Sequence, residues 1–176
     1  DDQFELLGIG AGATGNQLNP TPVLMRPEDA GIKVVHLSAG QFHTCIVLEN
    51  GMAQCFGYNN RGQLGVKDKV DRTSPTPIVM RPEDAGLKVL KIEAGKEHTC
   101  IILDNAVARC FGRHDYDMLG DGRTTDEALA PVPVPVLGCD DQAEAGSFCA
   151  GDSDDASFAH MHAVTRNQQI FCFVMR

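Results

Sequence analysis

Short apolar runs alternate along this chain with stretches rich in Gly, Pro, Asp and Asn. β-Branched residues are frequent in these runs, which in the central part of the sequence fall at residues 77–80, 88–93, 99–103 and 107–111. This pattern is typical of short β-strands joined by tight turns and not of long helices. The pair Asn50-Gly51 predicts a hairpin turn between two such runs, because both residues tolerate a positive φ.

The whole pattern recurs at a fixed spacing. Residues 20–65 align with residues 75–120 at an offset of 55 without a gap, and 26 of the 46 aligned positions are identical. A third, degraded copy occupies residues 131–176 and contains an acidic insertion. We therefore divide the chain into a remnant of a preceding repeat with a connector (1–18), a first blade (19–65), a second blade (74–120) and a degraded third blade (131–176).

Repeats of this length with four strands each predict an all-β fold made of β-propeller-type blades of four antiparallel strands. Closed propellers need about four to eight blades. About three blades form an open arc, so we expect a partial propeller. A β-sandwich with a duplicated segment is the alternative, but a sandwich has no need of such a period.

The segment AGQFHTCIVLENGMAQCFGYNNRGQLG, residues 39–65, resembles the regulator-of-chromosome-condensation repeat. That repeat has a Gly, a His three residues later, an apolar strand, a Gly turn, an aromatic-Gly pair and then N-x-x-G-Q-L-G. The second copy keeps the Gly, the His, the aromatic-Gly pair and the final Leu-Gly, but has Asp117-Met118 in place of Gly-Gln. The resemblance is strong over residues 19–120 and weak over residues 131–176.

The resemblance implies a propeller, whose family includes a nucleotide-exchange factor, an inhibitor of β-lactamases and many scaffolds. Fold therefore does not determine function. We expect a non-enzymatic scaffold for protein–protein interaction, serving as an accessory subunit of a larger assembly. The alternative is a regulator similar to a guanine-nucleotide exchange factor, or an enzyme inhibitor, that acts through the propeller loops.

Charge and hydropathy narrow the range of partners. The formal net charge is −9, and such a surface repels phosphate backbones, so direct nucleic-acid binding is not expected. No apolar run is long enough to predict membrane insertion. Residues 170–175 are apolar on both sides of the predicted strand, so we expect either that the chain is part of a longer propeller or that a protein partner covers the ends of the arc.

The cysteines form two pairs with equal spacing: Cys45 with Cys55, and Cys100 with Cys110. If the hairpin turn places each pair directly opposite, both can form disulfides. A strict two-residue loop would instead place Cys55 opposite Ile46, and the sequence leaves this register open. Disulfides would indicate an oxidising compartment, secreted or organelle-lumenal, and two small apolar core residues in a cytoplasmic protein are the alternative.

No catalytic residue, cofactor or metal site is predicted. A His recurs once in every copy, at residues 43, 98 and 160, which indicates a buried imidazole that bonds loop backbone and not a base or ligand. His160, His162 and Cys172 could bind zinc in principle, but a fourth ligand is not evident. The sequence GAGATG at residues 10–15 lacks a βαβ context, and the acidic stretch at 152–155 lacks the spacing of a calcium loop.

Residues 25–31 and 80–86 both read MRPEDAG, and we expect both to be exposed loops on one rim. Pro ends a strand because it has no N–H to donate. Recent duplication explains the identity of the two loops, and contact with a partner is the alternative. The candidate partner-binding residues are Arg26, Glu28, Asp29, Arg81, Glu83 and Asp84.

Overall fold

A computed structural model describes residues 7–10, 19–114, 119 and 127–134 in full, and residues 160–166 and 169–175 through their backbone. The chain divides into two compact units, Asp1–Val134 and Pro135–Arg176. None of the helices among the described residues has the length and apolar character that a membrane crossing requires.

The first unit contains two four-stranded antiparallel sheets, each with its strands in sequential order. We call them the first and second blades. The first comprises β1 (Val34–Ala39), β2 (His43–Leu48), β3 (Ala53–Gly57) and β4 (Arg72–Pro77). The second comprises β5 (Val89–Ala94), β6 (His98–Leu103), β7 (Ala108–Arg113) and β8 (Glu127–Pro133).

The bounds of the two sheets do not coincide with the bounds of the repeat copies in the sequence. Strand β4 belongs to the opening of the second copy but pairs with β3 of the first blade, so that Pro77 lies opposite Gln54. The prediction that residues 77–80 form a strand of the second blade is therefore wrong. The physical reason is that β4 is an outer edge strand, where Pro costs no ladder hydrogen bond. The first blade thus covers residues 34–77, and the second covers residues 89–133.

The two central hairpins have three-residue loops. In the first, the amide of Leu48 donates to the carbonyl of Met52, so the loop is Glu49-Asn50-Gly51 with Gly51 at φ +86°. A three-residue loop with its last residue in the left-handed region is a common hairpin closure. The resulting register places Cys45 opposite Cys55 and Cys100 opposite Cys110. The alternative of a two-residue loop, with Cys55 opposite Ile46, is wrong.

The loop between β3 and β4 of the first blade packs against the second blade. It contains the N-x-x-G-Q-L-G segment. Asn59 is buried and fastens the loop: its Oδ1 accepts from the amide of Leu64 at 3.0 Å, and its Nδ2 donates to the carbonyl of Asp68 at 2.9 Å. A Cβ on Gly65 would lie 2.8 Å from the ring of Phe111 in the second blade. The motif that carries the family resemblance is therefore structural, because it packs one blade on the next.

The same contact occurs once more at the start of the described chain. A Cβ on Gly8 would lie 2.7 Å from the ring of Phe56, which is the counterpart of Phe111. The amide of Leu24 donates to the carbonyl of Gly8, as the amide of Val79 donates to the carbonyl of Gly65. Gly8 thus holds the same place against the first blade that Gly65 holds against the second.

The second unit contains a hairpin of β9 (His160–Arg166) and β10 (Gln169–Met175). Its register places Cys172 opposite Ala163, and Phe173 opposite His162. Two residues join its paired strands, one fewer than in the three-residue loops of the other two hairpins, so His162 does not lie opposite Cys172. The acidic stretch at 152–155 and most of the GAGATG segment lie outside the described residues.

Candidate interaction surface

Each MRPEDAG segment folds into one turn of 3-10 helix, at Pro27–Asp29 and at Pro82–Asp84. Pro suits the first position of such a turn, because its φ is preset and its missing N–H would have no partner there. The turn closes when the amide of Asp29 donates to the carbonyl of Arg26, at 3.0 Å. Gly31 then follows at φ +82°, in the left-handed region.

Asp29 points into the blade and is buried. Its Oδ2 accepts hydrogen bonds from Nε of Arg26 at 2.6 Å and from Nε2 of Gln54 on β3 at 2.7 Å. Burial alone raises the pKa of Asp29, but these two hydrogen bonds outweigh it and hold the pKa below its usual range. The carboxylate therefore fastens the turn to the blade.

Asp84 is buried in the same way, but with a different partner. Arg109 occupies on β7 the position that Gln54 has on β3, and it binds both carboxylate oxygens of Asp84, at 2.8 and 2.7 Å. Arg81 pairs with Glu83, whereas Arg26 contacts both Glu28 and Asp29. The two copies thus satisfy the same buried acid with different cations.

The expectation that these loops are exposed throughout is wrong for Asp29 and Asp84. Packing explains the identity of both residues, since each fills a buried site that requires an acceptor. Among the six candidate residues, the most exposed are the glutamates: the side chains of Glu28 and Glu83 are 60% and 49% exposed. A binding role for the exposed part of the turns stays a prediction.

Both predicted cysteine pairs form disulfides, Cys45–Cys55 and Cys100–Cys110. The Cα atoms are 4.1 Å apart in each pair, as expected for directly opposed residues of neighbouring strands. Cys45 and Cys55 are fully buried, whereas Cys100 is only partly buried. Each bridge fixes the hairpin whose turn lies at the same end of the blade as the 3-10 turn.

The first strand of each blade, β1 or β5, carries an exposed apolar residue at a β-bulge. The register shifts between Val34 and His36 in β1, and between Val89 and Lys91 in β5. The intervening residues, Val35 and Leu90, are 57% and 50% exposed. Bulges redirect a side chain out of the pleat. Sequence analysis missed this pair, although the adjacent apolar residues Val34-Val35 break the alternation that a regular half-buried strand requires.

Comparison with known proteins identifies the repeat. Residues 34–63 and residues 50–102 match the Regulator of chromosome condensation (RCC1) repeat in two related forms. Residues 34–102 therefore contain RCC1 repeats. The resemblance predicted from the sequence is thereby confirmed for this part of the chain.

Relatives with RCC1-like segments are of several kinds. The chain is 33% identical over 92 residues to the E3 ubiquitin-protein ligase MYCBP2 of Danio rerio, which is 52% of this chain and 2% of that protein. It is 29% identical over 130 residues to the ultraviolet-B receptor UVR8 of Arabidopsis thaliana, which is 74% of this chain and 28% of the receptor. It thus spans less than a third of these relatives.

Solved structures confirm the fold. Human WBSCR16 superposes with a TM-score of 0.58 at 18% identity, over 74% of this chain and 32% of that one. Prp20p of Saccharomyces cerevisiae superposes with a TM-score of 0.62 at 20% identity, over 76% of this chain and 32% of that one. The all-β partial propeller predicted from the sequence is therefore correct.

The recurrent His of the RCC1 repeat makes a contact between blades. Nε2 of His43 lies 2.7 Å from Oγ1 of Thr99 in the second blade, and the Thr99 hydroxyl donates to the carbonyl of Gln63, also at 2.7 Å. The hydroxyl hydrogen is thus committed to Gln63, so His43 must be the donor. Burial, with a contribution from the neighbouring His98, lowers the pKa of His43 to about 3.

The expected buried imidazole is thus present, but it bonds a hydroxyl of the next blade and not loop backbone directly. Among the described residues, no three His, Cys, Asp or Glu side chains are grouped so that they could hold a metal ion. The side chains of His160, His162 and Cys172 lie outside those residues.

The first blade has an exposed face, whereas the equivalent face of the second blade is covered by the first. Leu37 is 59% exposed, whereas its counterpart Ile92 in the second blade is fully buried against the first. Val34 is likewise exposed and its counterpart Val89 is buried. We call Val34 and Leu37 the open face of the first blade.

Proposed function

We propose that this chain is a non-catalytic scaffold that binds protein partners through a partial RCC1 propeller, as a subunit of a larger assembly. The observation that carries the proposal is the exposure of Leu37, 59% against 0% for Ile92. Two positions with the same role in the same repeat differ in whether a neighbour covers them. An exposed apolar face built to the pattern of a covered one fits a protein partner or a further blade that packs on it.

The polar residues of the described blades support a structural and not a catalytic use. The buried acids Asp29 and Asp84 are bound by Gln54 or Arg109. His43 is neutral, fully buried and engaged with Thr99. A base or nucleophile must reach a substrate, and these groups do not.

A substitution on the open face tests the scaffold. We expect Leu37→Lys to abolish capture of partner proteins from native extract, because a charged group cannot enter an apolar interface without a large desolvation cost. Val70→Lys is the matched control, since Val70 is an exposed apolar residue of the β3–β4 loop. Both variants should melt at the wild-type temperature. Equal capture by wild type and Leu37→Lys would contradict the proposal.

The alternative is a regulator of the exchange-factor or enzyme-inhibitor kind. Its support is the likeness in fold to Prp20p, whose structure is described together with its binding to Gsp1p and histones. Release of fluorescent guanine nucleotide from small GTPases tests this alternative. Acceleration by the chain would favour it over the scaffold.

The two disulfides favour an oxidising compartment, because reduced thiols are maintained in the cytosol. We propose a secreted or organelle-lumenal location. Peptide mapping of the protein from its native source, under non-reducing conditions with free thiols blocked at lysis, tests this. Free thiols at all four cysteines would refute it.

A further inference from the structure

The two disulfides occupy the same position in two copies of one repeat, so any difference between them comes from their surroundings. Each links directly opposed residues of the two central strands of its blade. The first is enclosed: Cys45 and Cys55 are fully buried, in a cluster that includes Ile92 of the second blade. Cys100, in contrast, is only partly buried at the edge of that cluster.

The direction of the side chains explains the difference. Neighbouring residues of a strand point to opposite faces of the sheet. Thr99 points towards the first blade, where its hydroxyl contacts His43, so the neighbouring Cys100 points to the opposite face of the second blade. Cys45 points from the first blade towards the second and is sealed there.

Access controls the rate at which a disulfide is reduced. A thiolate must approach one sulfur atom in line with the bond that breaks, and no such approach exists to a bond enclosed on all sides. The sealed bridge therefore reacts only when the two blades separate, which is a large opening of the structure. Cys110 is buried but Cys100 is partly exposed, so the bridge of the second blade can be approached at Cys100 without separation of the two blades.

We infer that Cys100–Cys110 is a thiol–disulfide exchange site for a dithiol reductant, whereas Cys45–Cys55 is a closed structural bridge. In the first step a thiolate of the reductant attacks Sγ of Cys100, the bond to Cys110 breaks, and Cys110 leaves as a thiolate that takes up a proton. In the second step the other thiol of the reductant attacks the mixed disulfide and releases Cys100. Two electrons and two protons pass to the protein, and the reductant becomes a disulfide.

Reduction at the exchange site changes the covalent structure and the accessible groups of the second blade. Reduction replaces a covalent link between β6 and β7 by two thiols, of which that of Cys100 is accessible to modification. The blade then keeps its ladder hydrogen bonds but loses its cross-link. The first blade and its contacts with the second stay unchanged, because its own bridge is intact.

Timed reduction of the folded, oxidised chain with dithiothreitol tests this inference. Samples are quenched with iodoacetamide and analysed by peptide mass spectrometry. We expect Cys100 and Cys110 to be labelled at least about tenfold faster than Cys45 and Cys55, with the difference lost in guanidinium chloride, where access is equal. Equal rates in the folded chain, faster labelling of Cys45 and Cys55, or the absence of a Cys100–Cys110 link would overturn the inference.

Matched single substitutions give a second measurement that does not depend on the reduction step. Cys110→Ser leaves Cys100 as a free thiol, and Cys55→Ser leaves Cys45 as a free thiol at the equivalent place. Because Cys139, Cys149 and Cys172 can also react, the modification by an aromatic disulfide reagent is followed at the peptides that contain Cys100 or Cys45. We expect rapid reaction of Cys100 in Cys110→Ser and slow reaction of Cys45 in Cys55→Ser, while both chains stay folded by circular dichroism. If the Cys45 thiol reacts as fast as the Cys100 thiol in folded chains, the inference fails.

Discussion

Ala106 closes the second hairpin at the position that Gly51 has in the first, and both have a positive φ, +66° and +86°. The amide of each donates to the carbonyl of the leucine that ends the preceding strand, Leu103 or Leu48. The left-handed conformation costs a residue with a Cβ roughly 1–2 kcal/mol, and glycine is free of this cost. The second hairpin thus carries a local strain that the first one lacks.

We therefore expect Ala106→Gly to stabilise the chain, by up to about 1 kcal/mol after the greater entropy of unfolded glycine is subtracted. Gly51→Ala should do the opposite, and by more, because its Cβ would also meet the side chain of Lys88. Urea unfolding of both variants beside the wild type measures the two effects. A destabilised Ala106→Gly would show that the loop is not strained.

The repeat made the two blades predictable, because a period of 55 residues with β-branched runs has few other structural solutions. The strand bounds were less predictable. The sequence predicts a strand at residues 77–80, whereas the strand spans Arg72–Pro77, where it can pair with the edge of β3. Such pairing depends on contacts that lie outside any local window of sequence.

The candidate site shows the same limit. Asp29 looks like a solvated loop residue, and its burial depends on Gln54, 25 residues further along the chain. The exposure of Leu37 was likewise hidden, since its sequence surroundings match those of the buried Ile92. Sequence periodicity identifies which residues are equivalent, whereas only the packed blades show which equivalents have a neighbour.

The two acids of each 3-10 turn should respond very differently to substitution. Asp84 is buried and bound by Arg109 through two hydrogen bonds, so Asp84→Ala leaves a buried cation without a partner and should cost about 3 kcal/mol. Glu83→Ala removes only an exposed ion pair and should cost less than about 1 kcal/mol. Denaturant unfolding compares the two. Similar losses would mean that Asp84 is not a structural anchor.

The neutral state of His43 links folding to pH. Its pKa is about 3 in the folded chain and near 6.5 when unfolded. Between these values the unfolded state binds a proton that the folded state refuses, so stability is complete above pH 6.5 and is lost as the pH falls towards 3. One such group contributes a slope of up to about 1.4 kcal/mol per pH unit.

We expect His43→Gln to reduce the slope of the unfolding free energy against pH, between pH 5 and 6, by about 1 kcal/mol per pH unit. This change in slope does not depend on the effect of the substitution on stability at pH 7. The burial-lowered pKa of His98 leaves a residual slope in the variant. Urea titrations at several pH values measure both slopes. Parallel curves for wild type and variant would show that His43 is protonated in the folded chain.

In the contact of His43 and Gln63 with Thr99 between the two blades, we expect loss of the Thr99 hydroxyl to be the most destabilising change. This hydroxyl accepts from His43 and donates to the carbonyl of Gln63, so a single oxygen satisfies two buried groups of the first blade. Thr99→Val keeps the shape but leaves both groups without their partner, which should cost about 1–3 kcal/mol each. Thr99→Ser keeps the hydroxyl and is the matched control, with only a lost methyl contact. Thermal unfolding compares the two variants, and we expect Thr99→Val to melt at a lower temperature than Thr99→Ser. Equal melting temperatures would show that the hydroxyl does not stabilise the contact between the blades.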